Sequence, residues 1–275
     1  MAGDAYTVGL TGAPGSGKST LTDRLIASLR AEGSTVGVLA VDPSSPFSGG
    51  AILGDRVRMQ DHATDPGVFI RSMATRGHLG GLALATPEAI RVLDAAGCPW
   101  VLVETVGVGQ VEIEIAGAAD TTIVVVNPGW GDSVQANKAG LLEIADLFVI
   151  NKADRPGAEQ ARRDLELMLE LSTLGDWRPP VLATVASTGE GIDDLRAAIG
   201  EHRSFLETHG ELEARRQRRV AGELREIVVN RIEQRADVLC AGDTFDALLA
   251  KVLAGEVDPY SAAAELLDGA AEGLR

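Results

Sequence analysis

Short apolar runs alternate with amphipathic stretches through the first 200 residues. Seven runs rich in Val, Leu and Ile are bounded by glycine, proline or polar residues and predict buried strands. They lie at residues 6–11, 35–41, 68–72, 100–105, 121–126, 147–150 and 180–185. Helical spacing of apolar residues is found at 20–26, 87–96 and 133–144. This alternation predicts an α/β fold with a mainly parallel sheet flanked by helices on both faces.

The pattern changes near residue 200, where charged helical sequence begins. Within residues 211–236, apolar positions at helical spacing form a candidate stripe, which consists of Leu212, Val220, Leu224, Ile227, Val228 and Ile232. Asp243 is a candidate cap for a helix that ends near Ala254, and Asp258 is a candidate cap for a last helix that begins at Pro259. We therefore predict that residues 201–275 are a C-terminal helical extension, which either covers the sheet or serves as an oligomerisation arm.

Residues 12–19 match the phosphate-binding pattern G-x-x-x-x-G-K-[ST], between a predicted strand and a predicted helix. Glycines let backbone N–H groups converge on an anion, and the helix start adds its own N–H groups. Lys18 is expected to reach the β- and γ-phosphates, and the Ser19 hydroxyl is expected to bind Mg²⁺. The predicted nucleotide-binding residues here are Gly12, Ala13, Pro14, Gly15, Ser16, Gly17, Lys18, Ser19 and Thr20. Residues 1–200 are accordingly predicted to form a P-loop NTPase domain.

A second motif, Asn151-Lys152-Ala153-Asp154, directly follows the predicted strand 147–150 and resembles the N-K-x-D motif with which GTPases recognise the base. Asp154 is expected to accept hydrogen bonds from guanine N1–H and the exocyclic amino group. Adenine has no matching donors and would leave the carboxylate unpaired, so GTP is favoured over ATP. Asn151 is expected to brace the loop, and Lys152 to lie along the base plane. Val185, Ala186 and Ser187 follow the next strand, where GTPases place a backbone contact to the guanine carbonyl oxygen.

Carboxylates at the ends of strands are candidate Mg²⁺ ligands. Asp42 and Glu104 each end a predicted strand on the side where open α/β sheets bind ligands, and Asp55 lies on the loop that begins at Asp42. With Ser19 they supply oxygen atoms to the metal, directly or through water. In the alternative interpretation, Asp42 caps the turn at the following proline and Asp55 is a solvated loop charge.

The segment that follows Glu104 has the features of a switch. Gly107 is expected to offer its N–H to the γ-phosphate, and the glycines of this segment permit movement on hydrolysis. Gln110 either orients the attacking water or is a solvated side chain.

Composition limits the class of partner. The formal net charge of −15 and an aromatic content of 4% oppose binding to a nucleic acid backbone or to its bases. No apolar run approaches the roughly 20 residues that a membrane span requires, and the start of the sequence lacks the pattern of a signal peptide. We therefore expect a cytoplasmic protein with neither nucleic acid nor membrane as a partner.

Taken together, the motifs resemble the methylmalonyl-CoA mutase-associated GTPases of the MeaB/ArgK type. The matching segments are residues 12–20, 41–45, 54–56, 71–77, 104–110, 128–138, 151–154 and 258–260, and the similarity covers about residues 5–275. The resemblance implies a homodimeric GTPase that chaperones an adenosylcobalamin-dependent acyl-CoA mutase, either methylmalonyl-CoA mutase or a related enzyme. GTP binding and hydrolysis would gate cofactor loading and protect the mutase, and the C-terminal helices would form the dimer arm. The implied catalytic residues are Lys18, Glu104, Gly107, Gln110 and Lys138.

Three other functions are compatible with a phosphate loop. A metallochaperone GTPase of the nickel-insertion kind usually carries histidine-rich tracts, whereas His62, His78, His202 and His209 are scattered here. A transport-linked or small-molecule kinase or ATPase would not need the base motif, so Asp154 argues against it. A nucleotide-binding scaffold without hydrolysis is disfavoured because the lysine, serine and carboxylates of the site are all present.

Overall fold

The computed structural model describes residues 4–42, 59, 62, 64–74, 85–105, 115, 117–129, 138–172 and 175–272. The strands are β1 (Tyr6–Thr11), β2 (Val36–Asp42), β3 (Val68–Ala74), β4 (Trp100–Thr105), β5 (Thr121–Val126), β6 (Leu147–Asn151) and β7 (Val181–Thr184). The helices are α1 (Lys18–Ala31), α2 (Ala85–Ala95), α3 (Lys138–Ile144), α4 (Ala158–Leu171), α5 (Ile192–Thr208), α6 (Glu211–Leu239), α7 (Asp243–Leu253) and α8 (Pro259–Glu272).

The seven strands form one parallel sheet in the order β3-β2-β4-β1-β5-β6-β7. This confirms the predicted α/β fold with helices at the C-terminal end of the chain. Strand β1 lies between β4 and β5, and Leu10 in β1 and Ala40 in β2 both pair with Glu104 in β4. This register brings the loop after β1 beside the ends of β2 and β4.

Alternate side chains of each strand point to opposite faces of the sheet, and helices cover both faces. On one face, Leu10 and Ile123 belong to an apolar cluster with Leu25 of α1 and Ile199 of α5. On the other face, α4 packs on β5 and β6, and α2 packs on β2 and β4. The central strands are therefore fully enclosed, which fixes the loops at their carboxyl ends.

The helices differ from the sequence prediction in extent. Helix α1 begins two residues earlier than predicted, and the predicted helix 133–144 is described only from Lys138. Helix α4 is not among the predicted elements, although Ala161, Leu165 and Leu169 are spaced four apart and are all buried. Helix α5 runs through residue 200 and buries its own apolar face in the main core, so a change in composition there does not mark its end.

Of the two N-caps predicted for the last two helices, the structure confirms one. Asp243 was predicted to cap α7, but Gly242 is the N-cap and Asp243 is the first helical residue. The cap of α8 is confirmed, because Asp258 Oδ1 accepts hydrogen bonds from the N–H groups of Tyr260 at 2.9 Å and Ser261 at 3.1 Å.

The chain divides into two compact units, Met1–Gln217 and Arg218–Arg275, with the division inside α6. In the second unit, Leu248 and Ala262 are buried, whereas many large apolar side chains of α6, α7 and α8 are exposed. The exposed set is Val220, Leu224, Ile227, Val228, Val229, Ile232, Val238, Leu249, Leu253, Tyr260 and Leu267. Among the described helices, none combines the length and apolar character needed to span a bilayer.

Candidate functional site

The loop between β1 and α1 depends on glycine at two positions. Gly12 has φ of 134°, and a Cβ atom there would lie 2.0 Å from the carbonyl oxygen of Val125 in β5. Gly17, the N-cap of α1, has φ of 93°, and a Cβ atom would meet Asn151 Nδ2 at 2.3 Å. Side chains are excluded at both positions, so the loop lies directly against two neighbouring strand ends. The first N–H groups of α1 have no intrahelical acceptor, which makes this a site for an anion.

Lys18 is held inside the loop. Its side chain is buried, with 6% of its surface exposed, and Nζ donates to the carbonyl oxygens of Gly12 at 2.6 Å and Ala13 at 3.1 Å. A buried ammonium group must be hydrogen-bonded, and these carbonyls provide acceptors. The positive charge therefore lies at the loop itself, beside the N-terminus of α1.

Ser19 and Glu104 are in direct contact. Ser19 Oγ donates to Glu104 Oε1 at 2.5 Å, and both residues are buried. Next to Glu104, Thr105 Oγ1 donates to Thr11 Oγ1 at 3.2 Å, which ties the end of β4 to the end of β1. A hydroxyl and a carboxylate in contact are oxygen donors of the kind that Mg²⁺ prefers, so this pair fits a magnesium site.

Asn151 joins the end of β6 to the phosphate loop. It is 2% exposed, and Nδ2 donates to the carbonyl oxygen of Ser16 at 2.9 Å. Its Oδ1 accepts from Thr184 Oγ1 at 3.2 Å and from the N–H of Ala186 at 3.1 Å. One amide side chain thus connects the phosphate loop, the base motif and the segment after β7.

Residues 152–154 of the base motif follow Asn151 and are held by further hydrogen bonds. Lys152 has φ of 60°, a left-handed conformation that is uncommon for a residue with a side chain, and its Nζ donates to the carbonyl oxygen of Gly15 at 2.6 Å. The N–H of Ala153 donates to the carbonyl oxygen of Thr184 at 3.0 Å, and Asp154 is exposed. An unusual backbone conformation held by two partners places the Asp154 carboxylate in solvent, open to a ligand.

The structure brings together Lys18, Ser19 and Glu104 on one side and Asn151 and Lys152 on the other, around a single loop. Two other predicted residues are located by their elements, because Asp42 ends β2 and Lys138 begins α3. Thr20 is exposed on α1. After β7, Val185 and Ala186 are buried and Ser187 is exposed. Asp55, Gly107 and Gln110 lie outside the described residues.

Two further residues at this site are not among the sequence-predicted ones. Thr184 ends β7 and donates to Asn151, and Arg24 on α1 donates through Nε to the carbonyl oxygen of Ala186 at 3.1 Å. The position of Thr184 directly before Val185 was an available signal. No local pattern marks Arg24, because the two bonded residues are 162 positions apart.

A buried polar network lies at the amino-terminal ends of the strands, opposite the phosphate loop. Tyr6 Oη and Thr121 Oγ1 are 2.6 Å apart, and Thr121 Oγ1 lies 2.8 Å from Nδ1 of the fully buried His202. His202 Nε2 lies 3.2 Å from Asp146 Oδ1, and Arg215 donates to both carboxylate oxygens of Asp146, at 2.9 and 3.0 Å. Burial raises the pKa of Tyr6 well above its ordinary value. This network fixes the start of α6 to the sheet.

The pKa of Asp146 is set by opposing effects. Burial by itself would raise the pKa of Asp146, but hydrogen bonds and charge interactions with His202 and Arg215 overcome it and lower the pKa below the ordinary value. Beside this pair, Arg216 Nη2 lies 3.0 Å from Asp120 Oδ2, so two successive arginines of α6 each bind a carboxylate that precedes a strand. Within the described ranges, no three His, Cys, Asp or Glu residues converge as a metal-binding cluster.

Comparison with known proteins places these features in a family. The profile of the methylmalonyl Co-A mutase-associated GTPase MeaB family matches residues 1–240. A putative GTPase of Pyrococcus abyssi is 54% identical over 272 residues, which make up 97% of this chain and 84% of that protein. GTPase ArgK of Escherichia coli is 40% identical and covers 89% of this chain and 74% of its own length.

A mitochondrial protein of Mus musculus, described as a methylmalonic aciduria type A homolog, is also similar to this chain. It is 40% identical over 219 residues, which cover 77% of this chain. The match spans about half of the mouse protein, 52% of its length.

Solved structures agree with this assignment. The crystal structure of an LAO/AO transport system kinase superimposes with a TM-score of 0.71 at 31% identity and covers 97% of this chain and 82% of that one. The hydrogenase maturation factor HypB of Archaeoglobus fulgidus has a TM-score of 0.52 at 25% identity and covers 70% of this chain and 90% of its own. Because the family profile spans most of the chain and curated relatives are 40% or more identical over most of it, the chain belongs to the methylmalonyl Co-A mutase-associated GTPase MeaB family and is a GTPase.

Proposed function

We propose that this GTPase binds GTP with Mg²⁺ at the loop of residues 12–19 and uses hydrolysis to assist an adenosylcobalamin-dependent acyl-CoA mutase, first of all methylmalonyl-CoA mutase. The observation that carries the nucleotide assignment is the hydrogen bond from Asn151 Nδ2 to the carbonyl oxygen of Ser16. It makes the phosphate loop and the base motif parts of one site. The mutase as partner rests on the family description and on the name of the mouse relative.

In the proposed site each part of the nucleotide has its own protein groups. The N-terminus of α1 and the Lys18 ammonium group bind the phosphates, since both present positive charge at the loop. Ser19 and Glu104 would hold Mg²⁺, with Asp42 and Asp55 as further candidate ligands. When bound, Mg²⁺ supplies charge neutralisation at the β- and γ-phosphate oxygens. The carbonyls of Gly12 and Ala13 orient Lys18 Nζ within the loop, and its ammonium group would add positive charge beside those oxygens when nucleotide is bound.

Base selectivity is proposed to come from Asp154, with the backbone of residues 185–187 facing the guanine carbonyl oxygen. The first test compares GTP and ATP binding to the wild-type protein, with GTP expected to bind about 10²-fold more tightly or better, because adenine leaves the carboxylate unpaired. Asp154→Asn should weaken GTP and favour xanthosine triphosphate, whose 2-carbonyl accepts from the new amide. A wild-type preference for ATP would overturn the assignment and favour the kinase or ATPase alternative.

The partner is tested by affinity capture with the full chain loaded with GDP or with a non-hydrolysable GTP analogue. Methylmalonyl-CoA mutase should be retained in a nucleotide-dependent manner, and its addition should change GTP turnover several-fold. A partner can do this by ordering segments that respond to the γ-phosphate, for which 42–58, 104–110 and 129–138 are our candidates. Unchanged turnover, with no complex in either nucleotide state, would refute the mutase proposal.

Metal-centre assembly is the second candidate, because the HypB protein that this chain resembles is described as a hydrogenase maturation factor. The same experiment separates the two. Nickel-dependent GTP turnover, together with no response to the mutase, would support metal insertion. Mutase-dependent turnover that is insensitive to nickel supports our proposal.

We also propose a homodimer built through the second compact unit. Leu224 is 62% exposed, and Val228, one turn later on the same face of α6, is 48% exposed, so a second copy could bury both. Light scattering should give a dimer for the wild type and a monomer for Leu224→Asp with Val228→Asp. Leu167→Asp, at an exposed leucine of α4, is the control and should remain dimeric. A monomeric wild type would contradict the dimer.

The expected compartment, the cytoplasm, stays a prediction.

A further inference from the structure

Ala186 is held from three directions. Its N–H donates to Asn151 Oδ1 at 3.1 Å, and its carbonyl oxygen accepts from Arg24 Nε at 3.1 Å. Its side chain is 2% exposed and belongs to the same apolar cluster as Leu21 and Leu25 of α1. These three contacts fix the position of the Ala186 backbone relative to both Asn151 and α1.

The segment that contains Ala186 follows the last strand of the sheet. Strand β7 has four residues and pairs in the sheet with β6, so the sheet supports it from one side. After it the chain turns back on itself, because the N–H groups of Thr188 and Gly189 both donate to the carbonyl oxygen of Val185, each at 3.0 Å. This turn fixes the loop internally. Besides the buried side chain of Ala186, two hydrogen bonds attach the loop to the rest of the protein, from Ala186 N–H to Asn151 and from Arg24 to the Ala186 carbonyl oxygen.

We infer that Arg24 is a positioning residue for guanine recognition: its hydrogen bond to the Ala186 carbonyl holds the backbone of residues 185–187 against α1, in the place from which this backbone would contact the guanine carbonyl oxygen. This inference rests on the proposed GTP site. Helix α1 then serves both ends of the nucleotide, because its N-terminus faces the phosphates and Arg24, six residues after Lys18, supports the base loop. A charged N–H donor is suited to this role, since such hydrogen bonds are stronger than those between neutral groups.

The chain offers a matched set of variants. Glutamine places Nε2 as many bonds from Cα as Nε of arginine, so Arg24→Gln keeps a donor and removes the charge. Arg24→Met has a methyl group at that point and removes both. Arg30→Met is the control on the same helix, because Arg30 donates to Asp65 and to the carbonyl oxygen of Ser34, outside the site.

Two nucleotide analogues report on separate parts of the base. 6-Thio-GTP keeps N1–H and the 2-amino group but has sulfur, a weak acceptor, in place of the carbonyl oxygen. Inosine triphosphate keeps the carbonyl oxygen and lacks the 2-amino group that Asp154 is proposed to bind. Arg24→Met should therefore reduce discrimination between GTP and 6-thio-GTP and leave the ratio for GTP against inosine triphosphate unchanged.

In steady-state turnover, Arg24→Met should raise KM for GTP about three- to tenfold, as expected for one lost hydrogen bond, with most of the loss in KM and little in kcat. Arg24→Gln should restore KM to within about twofold of wild type, and Arg30→Met should match wild type. If Arg24→Met and Arg24→Gln behave alike, the hydrogen bond does not position the loop and the inference is wrong. If the wild type itself does not prefer GTP to ATP, the proposed function fails instead.

Discussion

Ser19 Oγ donates a hydrogen bond to Glu104 Oε1 over 2.5 Å, which joins the first turn of α1 to the end of β4 across 85 residues of sequence. The contact follows from the sheet register, because Glu104 pairs with Leu10, two residues before the phosphate loop begins. Two oxygen donors are thereby brought to one point beside the loop, and this arrangement leads to the first prediction.

Glu104→Gln should separate catalysis from nucleotide binding. The amide oxygen can still accept from Ser19, so the local fold is retained, whereas the charge that attracts Mg²⁺ is lost. GTP hydrolysis should fall about tenfold or more, the Mg²⁺ concentration for half-maximal turnover should rise, and GDP affinity should change less. Turnover titrated with Mg²⁺ measures this, with Glu143→Gln on α3 as the control. Equal losses in hydrolysis and GDP binding would show that Glu104 is structural.

Lys18→Ala should abolish tight GTP binding or turnover. The structure adds a stability effect, because the loss of Nζ leaves the carbonyl oxygens of Gly12 and Ala13 without this donor. We expect the free energy of unfolding of the nucleotide-free protein to fall by about 1–2 kcal/mol, too little to unfold the domain. Nucleotide titration and urea unfolding on the same sample test both parts, with Lys251→Ala in α7 as the control. Unchanged GTP affinity and turnover in a folded variant would refute the assignment of the phosphate loop.

Asn151→Ala and Asn151→Asp should have different consequences. Alanine removes the hydrogen bonds to Ser16, Thr184 and Ala186, and we expect it to lower the free energy of unfolding by about 2–4 kcal/mol. Aspartate keeps the acceptor for Thr184 and Ala186 but cannot donate to the Ser16 carbonyl oxygen. Its buried carboxylate would be repelled by that carbonyl oxygen, so this variant should also be destabilised, and it should bind GTP poorly because its charge faces the phosphate loop.

Urea unfolding and GTP titration of both Asn151 variants measure these effects. Asn127→Ala is the control, because its side chain bonds only the neighbouring carbonyl of Pro128 among the described contacts. Tight GTP binding by Asn151→Asp would show that the bond to Ser16 does not organise the site.

The sheet could be predicted because each strand is a local apolar run, and the phosphate loop because glycines, lysine and serine occur together within eight residues. Contacts across the fold could not be predicted in this way. The hydrogen bond from Lys152 Nζ to the carbonyl oxygen of Gly15 joins residues 137 positions apart, and the expectation that Lys152 lies along the base plane stays a prediction. Arg24 carries no motif, because its role arises only when α1 packs beside the segment after β7.

The role of His202, at the amino-terminal ends of the strands, could not be predicted from sequence either. In sequence it is one of four scattered histidines, whereas in the fold it is fully buried between Thr121 and Asp146. Its partners lie at the starts of two strands, 81 and 56 positions away, and only the parallel register brings them together.

The roles proposed for Asp42, Asp55, Gly107, Gln110 and Lys138 stay predictions.

Asp146 should make folding stability depend on pH. The pKa of Asp146 is lowered in the folded state, against an ordinary value of about 3.9 for an unfolded chain. A lowered pKa means that the unfolded state takes up the proton first on acidification. The contribution of Asp146 is therefore fully present above about pH 5 and is lost progressively as the pH falls through 4 and toward the folded pKa.

Asp146→Asn tests this directly, because asparagine retains much of the shape and removes the charge that pairs with Arg215 and lies beside His202. At pH 7 the variant should be less stable by about 1–3 kcal/mol, since the half-buried Arg215 loses its charged partner. Between pH 5 and 3 its free energy of unfolding should fall less steeply than that of the wild type. Urea unfolding at a series of pH values measures both slopes, and Asp237→Asn on the exposed surface of α6 should follow the wild type. Parallel slopes for wild type and Asp146→Asn would mean that this carboxylate has the same proton affinity in the folded and unfolded chain, and the network would then hold α6 by geometry alone.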